Sequence, residues 1–358
     1  MTGRVLAVVH LGRPQGRGEV ARVASWRAIA AAAGLSVVEI PLLAPDGRPH
    51  PAGARPRDAV DLAAGRVVPE SLAWSTAAAT AKARETAPAA VVAVTARAFT
   101  PALVGVAPVT ILDLVDRLSH SYRDRAAITT SRSGALGFSA LGRAHARFER
   151  HLPAGVVLVA AGWSDAQELG AAFVPNVLAV EAPLPGRSPD HDVLFFGTLD
   201  YPPNVAGLRT LAGAWEAVLA QRPGTKLLVA GARPSAEVVA LAAHHGWTLL
   251  GEYRDVSALA GRARIAVAPL PYASGIQNKV LEAAALGLPQ VVSPAVAAGL
   301  PPDFPVRVAD ERELASAVVA LVAQGSDQGA AGREYVAARF SPQGWSGWLL
   351  SSVGSATR

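Results

Sequence analysis

The chain reads as an α/β protein built from two Rossmann-like halves in tandem, and three observations carry that reading. Short runs rich in β-branched residues alternate with Ala/Leu-rich stretches of helical length, as in parallel sheets covered by helices. The alternation stops at a Pro-rich segment, residues 181–191, and restarts after it. The length of 358 residues, at roughly 100–200 residues per domain, suits two domains. The predicted boundaries are 1–180 for the first domain, 181–191 for the linker, 192–335 for the second domain, and a closing helical segment, 336–358, that either completes the second domain or crosses back to the first.

In the first half, Val5–His10 predicts a strand because five of its six residues are apolar and a Gly/Pro-rich loop follows. A helix from about Glu19 to Ala33 ends at Gly34. Ser36–Pro41 predicts the second strand, and the Pro-, Gly- and Arg-rich stretch 44–70 an irregular excursion. A helix over Pro69–Thr86 leads to the strand Ala90–Val94. Val109–Leu114 is the next strand, with Asp113 and Asp116 at its end. Helix Ala135–Arg150, strand Gly155–Ala160, a short helix over Ser164–Leu169 and a short strand over Ala172–Pro175 complete the half. The second half repeats the pattern. Its strands are Asp192–Phe196, Lys226–Ala230, Thr248–Leu250, Ile265–Pro269 and Gln290–Ser293. Its helices are Asn204–Ala220, Ser235–His244, Val256–Arg262, Asn278–Leu286 and Glu311–Gln324. The final stretch, Arg333–Val353, has one continuous helical pattern.

Composition narrows the chemistry. Hydrophobic residues make up 51% of the chain, enough to fill real cores. There is no Cys, which excludes a disulfide scaffold, Cys-ligated zinc or iron–sulfur, and a thiol nucleophile. No apolar run approaches the roughly 20 residues of a membrane helix, and the N-terminus has no secretory pattern, so the expected location is the cytoplasm, either free or peripheral to the inner face of the membrane through the basic first domain. The net charge of +5 is uneven, with 20 Lys and Arg against 15 Asp and Glu in residues 1–191. That excess fits a surface meeting phospholipid or a phosphorylated substrate, or simply solvated arginines. No nucleic-acid-binding motif is present.

The stretch Pro271–Pro289 is the most informative. It turns through Ser274-Gly275-Ile276-Gln277, opens a helix at Asn278, and ends at Gly287 with Pro289 beyond. Free amides at a helix N-terminus suit a diphosphate. Lys279, one of only three lysines in the chain, adds a charge in the first turn. Glu282 lies on the same face and is able to accept two hydrogen bonds from ribose hydroxyls. On spacing alone, an ordinary Lys279–Glu282 surface pair fits equally well.

The run Ser274-Gly275-Ile276-Gln277-Asn278-Lys279-Val280-Leu281-Glu282 through Pro289 resembles the donor-binding signature of GT-B glycosyltransferases of retaining family 4, the glycosyl transferases group 1, in particular a branch of exopolysaccharide sugar transferases. Phe196–Asn204, Val229-Ala230-Gly231 and Gly251–Val256 match in order. So, in the first half, do Asp113–Asp116, Phe148-Glu149-Arg150 and Val174-Pro175-Asn176. The resemblance implies two Rossmann-like domains facing a central cleft, the second holding a nucleotide-sugar donor and the first an acceptor. It also implies transfer to an acceptor hydroxyl with retention of configuration, without a bound metal or other cofactor. The acceptor would be a polysaccharide, glycolipid or small natural product, and no nucleic acid is involved. Carried over, Glu282 meets the ribose, the backbone at Gly275, Ile276, Gln277 and Asn278 meets the diphosphate or sugar, and Tyr253-Arg254 lies by the base.

Two departures stand out. Ser274 occupies the place of the first motif glutamate, and Thr198-Leu199-Asp200-Tyr201 replaces the Arg/Lys pair usual after Gly197, leaving Lys279 as the substitute cation for a leaving diphosphate. These departures keep open a catalytically weak sugar-nucleotide-binding homologue; a sugar-nucleotide 2-epimerase of the same fold is the other alternative. Further candidates follow from position. Gly16 and Gly18 sit in a loop able to approach phosphates. His120 and Asp116 lie past a strand's carboxyl end, where α/β ligands collect, and are candidate catalytic groups. His10 and Arg13 are candidates for lining the cleft. Asp190-His191-Asp192 imitates a metal motif but falls in the Pro-rich linker, so no metal site is expected.

Overall fold

In a computed structural model of the chain, the described residues are 4–12, 17–43, 56–73, 76–129, 131–152, 154–180, 188–324 and 326–355. Two compact units emerge. The first comprises residues 1–177, 274–276 and 342–358, the second 178–273 and 277–341.

The first unit contains β1 (Val5–His10), α1 (Arg17–Ala32), β2 (Ser36–Pro41), α2 (Pro56–Ala63), α3 (Thr76–Glu85), β3 (Ala90–Val94), β4 (Val109–Asp113), α4 (Leu118–Ile128), α5 (Arg132–Arg150), β5 (Val156–Ala160), α6 (Trp163–Leu169) and β6 (Ala172–Phe173). The strands form one parallel sheet in the order β2-β1-β3-β4-β5-β6. Helices on both faces explain why β3 and β4 are buried along their whole length. Alternate residues serve two cores. Ala7, Val9, Val91, Ala93 and Leu112 face one, and Leu6, Val8, Val92, Val94 and Ile111 the other.

The second unit contains β7 (His191–Phe196), α7 (Pro202–Gln221), β8 (Leu227–Ala230), α8 (Ala236–His245), β9 (Thr248–Leu250), α9 (Val256–Arg262), β10 (Ala263–Ala268), α10 (Asn278–Ala285), β11 (Gln290–Val292), α11 (Pro294–Ala297), β12 (Arg307–Val308), α12 (Leu314–Gln324) and α13 (Ser326–Arg339). Its parallel sheet runs β12-β11-β10-β7-β8-β9. Strand order reverses between β7 and β10, and a ligand of an open α/β sheet binds beyond the carboxyl ends at such a point.

Most of the expected strands and helices fall within two or three residues of the sequence reading. Within 44–70, expected to be irregular, Pro56–Ala63 forms α2, while 44–55 lies outside the described residues. Other exceptions have local causes. Pro69–Thr86 is not one helix. A 3-10 turn, Pro69–Ala73, precedes α3. Leu118–Ile128 is a helix the sequence reading passed over, because its polar run Ser-His-Ser-Tyr-Arg-Asp-Arg hides the few buried positions, Leu118, Ser119 and Tyr122. Arg333–Val353 divides at Phe340 and Ser341, ahead of Pro342, which opens α14 (Pro342–Ser355). α14 belongs to the first unit, where Leu349 and Val353 join the core under α1 and the Trp348 ring lies 6.3 Å from Trp26. His191 is a strand residue of β7, not linker, and its Nδ1 lies 2.8 Å from Asp190.

Candidate functional site

The site of the second unit grows from the ends of β7 and β10. After β7 the chain turns through Gly197 at φ +142°, a region other residues rarely adopt. A Cβ there would sit 2.9 Å from Asn204 Nδ2 and 3.1 Å from Lys279 Nζ. Gly231, at the end of β8, is equally constrained, since a Cβ would lie 1.7 Å from the Gly197 carbonyl oxygen. Two glycines thus let three backbone segments close up beside one ammonium group.

That ammonium is Lys279, in the first turn of α10. Its Nζ donates to Asn204 Oδ1 at 2.6 Å and lies 4.6 Å from the centre of the Phe195 ring. Asn204 is buried in the first turn of α7, and its Nδ2 donates to the Thr198 carbonyl at 2.8 Å, which turns Oδ1 toward the lysine. Burial pulls the Lys279 amine from its ordinary 10.5 down to about 7, with the Glu282 carboxylate opposing the shift. Gln277 sits at the N-cap in extended conformation, and its side chain does not cap the helix. The first-turn amides and the lysine therefore form an electropositive patch at the topological switch of the sheet. Glu282 and Asn278 are partly exposed on the same helix. Tyr253 packs edge-on against Phe196 at 6.2 Å, and Arg254 beside it is exposed.

In the first unit, polar groups gather past the carboxyl ends of β4 and β5. Asp113 is fully buried; it accepts from Arg22 Nε at 2.5 Å, from Trp26 Nε1 at 2.6 Å and from the Val115 amide at 2.9 Å. Val115 itself has φ +62°, a strained conformation for a β-branched residue. Beyond it, Asp116 accepts from Ser274 Oγ at 3.2 Å, and the Ser274 and Ser121 hydroxyls lie 2.7 Å apart. Burial raises the Asp116 carboxyl above its ordinary range, against the pull of Arg97. Asp165, at the start of α6, rises to about 6, through burial first and then the nearby Asp116 charge. Asp165 Oδ2 accepts from the amides of Gly275 at 3.2 Å and Arg117 at 3.3 Å. Partial burial, then the charges of Arg117 and Arg123, hold His120 below the usual histidine value.

The predicted site residues thus separate. Gln277, Asn278, Lys279 and Glu282 stand with Tyr253 and Arg254 in the second unit. Gly275 and Ile276 are counted with the first unit, where Asp116, His120 and His10 also lie. The Gly275 amide, expected to serve a diphosphate, here donates to Asp165. Its φ of +61° and a would-be Cβ 3.1 Å from Asp116 Cβ give that glycine its own reason. His10 is buried at the end of β1, with Nδ1 3.6 Å from Glu19 and Nε2 3.7 Å from Glu39. Gly18 is exposed in α1 with nothing within 4 Å of a would-be Cβ. Arg13 and Gly16 lie outside the described residues. Neither Asn204 nor Asp165 was picked out as a site residue from sequence. Asp165 carried a usable signal, an acid in the first turn after a strand. Asn204 carried a weaker one, following Pro-Pro directly after the Gly197 loop.

Comparison with known proteins decides what kind of fold holds these groups. Residues 190–324 match the family model for glycosyl transferases group 1. A search of curated protein sequences finds no match. Among solved structures, a glycosyltransferase from Rickettsia africae ESF-5 superposes with a TM-score of 0.65 at 10% identity, over 100% of both chains. HepE of Anabaena, crystallised in complex with UDP, gives 0.61 at 14% identity over 98% of this chain and 100% of that one. TarM, known from S. aureus, gives 0.58 at 12% identity over 74% of this chain and 54% of that one, so the chain spans about half the length of TarM. The chain has the GT-B glycosyltransferase fold, and the group 1 match covers both Gly197 and Lys279. At these identities, likeness establishes architecture, and function must be argued from the site.

Proposed function

We propose that the protein is a glycosyltransferase that moves a sugar from a nucleoside diphosphate sugar to an acceptor hydroxyl, with retention of configuration and without a metal ion. The observation that carries this reading is Lys279. An ammonium held partly out of water by Asn204, Phe195 and Gly197, with its proton affinity lowered, lacks a counter-charge of matching strength and gains one when a diphosphate binds. The Val280 amide already donates to the Gln277 carbonyl at 2.9 Å, so the Lys279 amide is the first-turn group of α10 proposed to take a further phosphate oxygen. Glu282, one turn on, accepts the ribose hydroxyls, and Tyr253 with Arg254 flanks the base.

The chemistry follows from where charge develops. As the glycosidic bond stretches, negative charge grows on the diphosphate oxygen that leaves, so an ammonium that the bound diphosphate keeps charged, together with the helix amides, stabilises the transition state more than the ground state. Asp116 and His120, beyond the carboxyl ends of the first unit's strands, are the groups proposed to orient sugar or acceptor hydroxyls. HepE was crystallised with UDP and with UDP-glucose, which supports a uridine nucleotide as the first donor to try. Ser274 supports a second reading, because its hydroxyl stands where a motif carboxylate is expected and donates to Asp116. Under that reading the protein binds sugar nucleotide and transfers little.

Thermal shift with UDP, GDP, dTDP and ADP tests binding, since a ligand at 100 times its Kd adds about 2.7 kcal/mol. Failure of all four to raise the melting temperature overturns the proposal. Binding without sugar transfer or donor hydrolysis selects the second reading. Glu282→Ala is expected to weaken nucleotide binding at least tenfold, and unchanged affinity removes it as the ribose ligand.

A further inference from the structure

The loops beyond β7 and β8 hold an ion pair that the donor site described above leaves unused. They run side by side, with the Gly197 amide donating to the Ala230 carbonyl at 3.0 Å and the Leu199 amide to that of Ala232 at 2.9 Å. Past this ladder the Arg233 guanidinium donates to both oxygens of Asp200, from Nε at 2.7 Å and from Nη2 at 3.2 Å. Glu252, beyond β9 and next to Tyr253, adds to the negative charge around it. Arg233 has φ +54°, and among the described residues of the second unit it is the only one besides glycine with a positive φ. That conformation is costly for an arginine. The exposed pair it makes contributes little to stability. Fold stability alone therefore does not account for the arrangement.

The same two loops border Lys279. A Cβ on Gly197 would lie 3.1 Å from the lysine Nζ, and Gly231, whose Cβ would meet the Gly197 carbonyl, precedes Arg233 by two residues. At 3.8 Å per residue, the Cα atoms of Gly231 and Arg233 are at most about 7.6 Å apart, a gap comparable with the reach of an arginine stem. A nucleoside diphosphate brings about three negative charges near neutral pH. Lys279 supplies one positive charge at most, and the Glu282 carboxylate on the same helix partly offsets it. A second cation is needed for balance. We infer that Arg233 is that cation: Asp200 holds it at the lip of the donor site, and a bound diphosphate competes with Asp200 for it. This rests on the nucleotide-sugar reading of the site and adds to it a phosphate-binding residue and the counter-ion that restrains it.

Calorimetric titration of UDP into the protein and its variants tests the inference. Arg233→Asn removes the charge and keeps a side chain that tolerates a left-handed backbone. UDP is expected to bind this variant about tenfold more weakly. Asp200→Asn releases the guanidinium, and UDP is expected to bind at least about threefold more tightly. The double variant should lie close to Arg233→Asn, because it has no guanidinium to release. Uridine, which carries no phosphate, should distinguish parent and variants by less than about twofold. Unchanged melting temperatures show that the variants are folded. If the parent binds no nucleoside diphosphate, the donor-site reading fails and this inference falls with it. If the parent binds UDP but Arg233→Asn binds it equally well, if Asp200→Asn weakens binding, or if uridine loses as much as UDP, Arg233 is not a cation of the site, while the reading of Lys279 stands.

Discussion

Replacing Lys279 with methionine tests the electrostatics of the site most directly. The folded-state amine titrates near 7 against an ordinary 10.5. The unfolded chain therefore holds this proton more tightly. The cost of keeping the ammonium partly buried is fully present below pH 7 and is relieved as pH rises toward 10.5. At about 1.4 kcal/mol per unit, a fall of that size has a ceiling of about 5 kcal/mol. The Asn204 hydrogen bond and the Phe195 ring already stabilise the charged form, and water reaches part of the side chain, so about 1–3 kcal/mol is the expected effect. Lys279→Met is predicted to be more stable than the parent by that amount at pH 7, with the gap closing by pH 10. Urea denaturation of both proteins at matched ionic strength from pH 7 to 10 provides the measurement, since shared titrations cancel in the difference. The parent should also take up about 0.9 proton on binding UDP at pH 8, where an amine with a pKa of about 7 is about one-tenth charged. Calorimetry in buffers of different ionisation heat reads this uptake, and the methionine variant should lose it. A stability gap that stays constant with pH, or a variant less stable at pH 7, refutes the argument.

Three further changes probe other parts of the molecule. Gly197→Ala puts a Cβ 2.9 Å from Asn204 Nδ2 at a φ of +142°; about 1–3 kcal/mol of stability and at least tenfold in nucleotide affinity should be lost, read by denaturation and titration. Asp165→Asn removes a carboxyl raised to about 6, whose contribution to stability is present below its ordinary 3.8 and lost as pH rises through 6. The variant should therefore gain on the parent between pH 4 and 7, by at most about 3 kcal/mol, and parallel melting curves would exclude the shift. Asp113→Asn leaves Arg22 buried beside a neutral group; a loss of about 3–5 kcal/mol in denaturant is expected, and a loss under about 1 kcal/mol would show the pair to be dispensable.

Periodicity made most of both sheets legible, because a strand covered by helices on both faces is apolar throughout and its ends are marked by Gly, Pro and Asp. Val5–His10, Ser36–Pro41 and Ala90–Val94 are found where the pattern put them. Lys279 was legible as well, as a rare lysine in the first turn after a Gly-containing loop. Leu118–Ile128 was not, because its buried positions are few and its exposed face is strongly polar. The break at Ser341 was missed because one helical period runs through it, although Pro342 marked the place.

Local sequence therefore determined the two α/β halves, their strands, and the helix that presents Lys279 and Glu282, since these depend on residue order and spacing alone. Tertiary structure decided the partners. Asn204 meets Lys279 across 75 residues, Arg22 meets Asp113 across 91, and Asp165 meets the Gly275 amide across 110. Such pairings depend on strand order and close approach at a few glycines, and burial at those meeting points, which no linear pattern encodes, sets the charge each group carries.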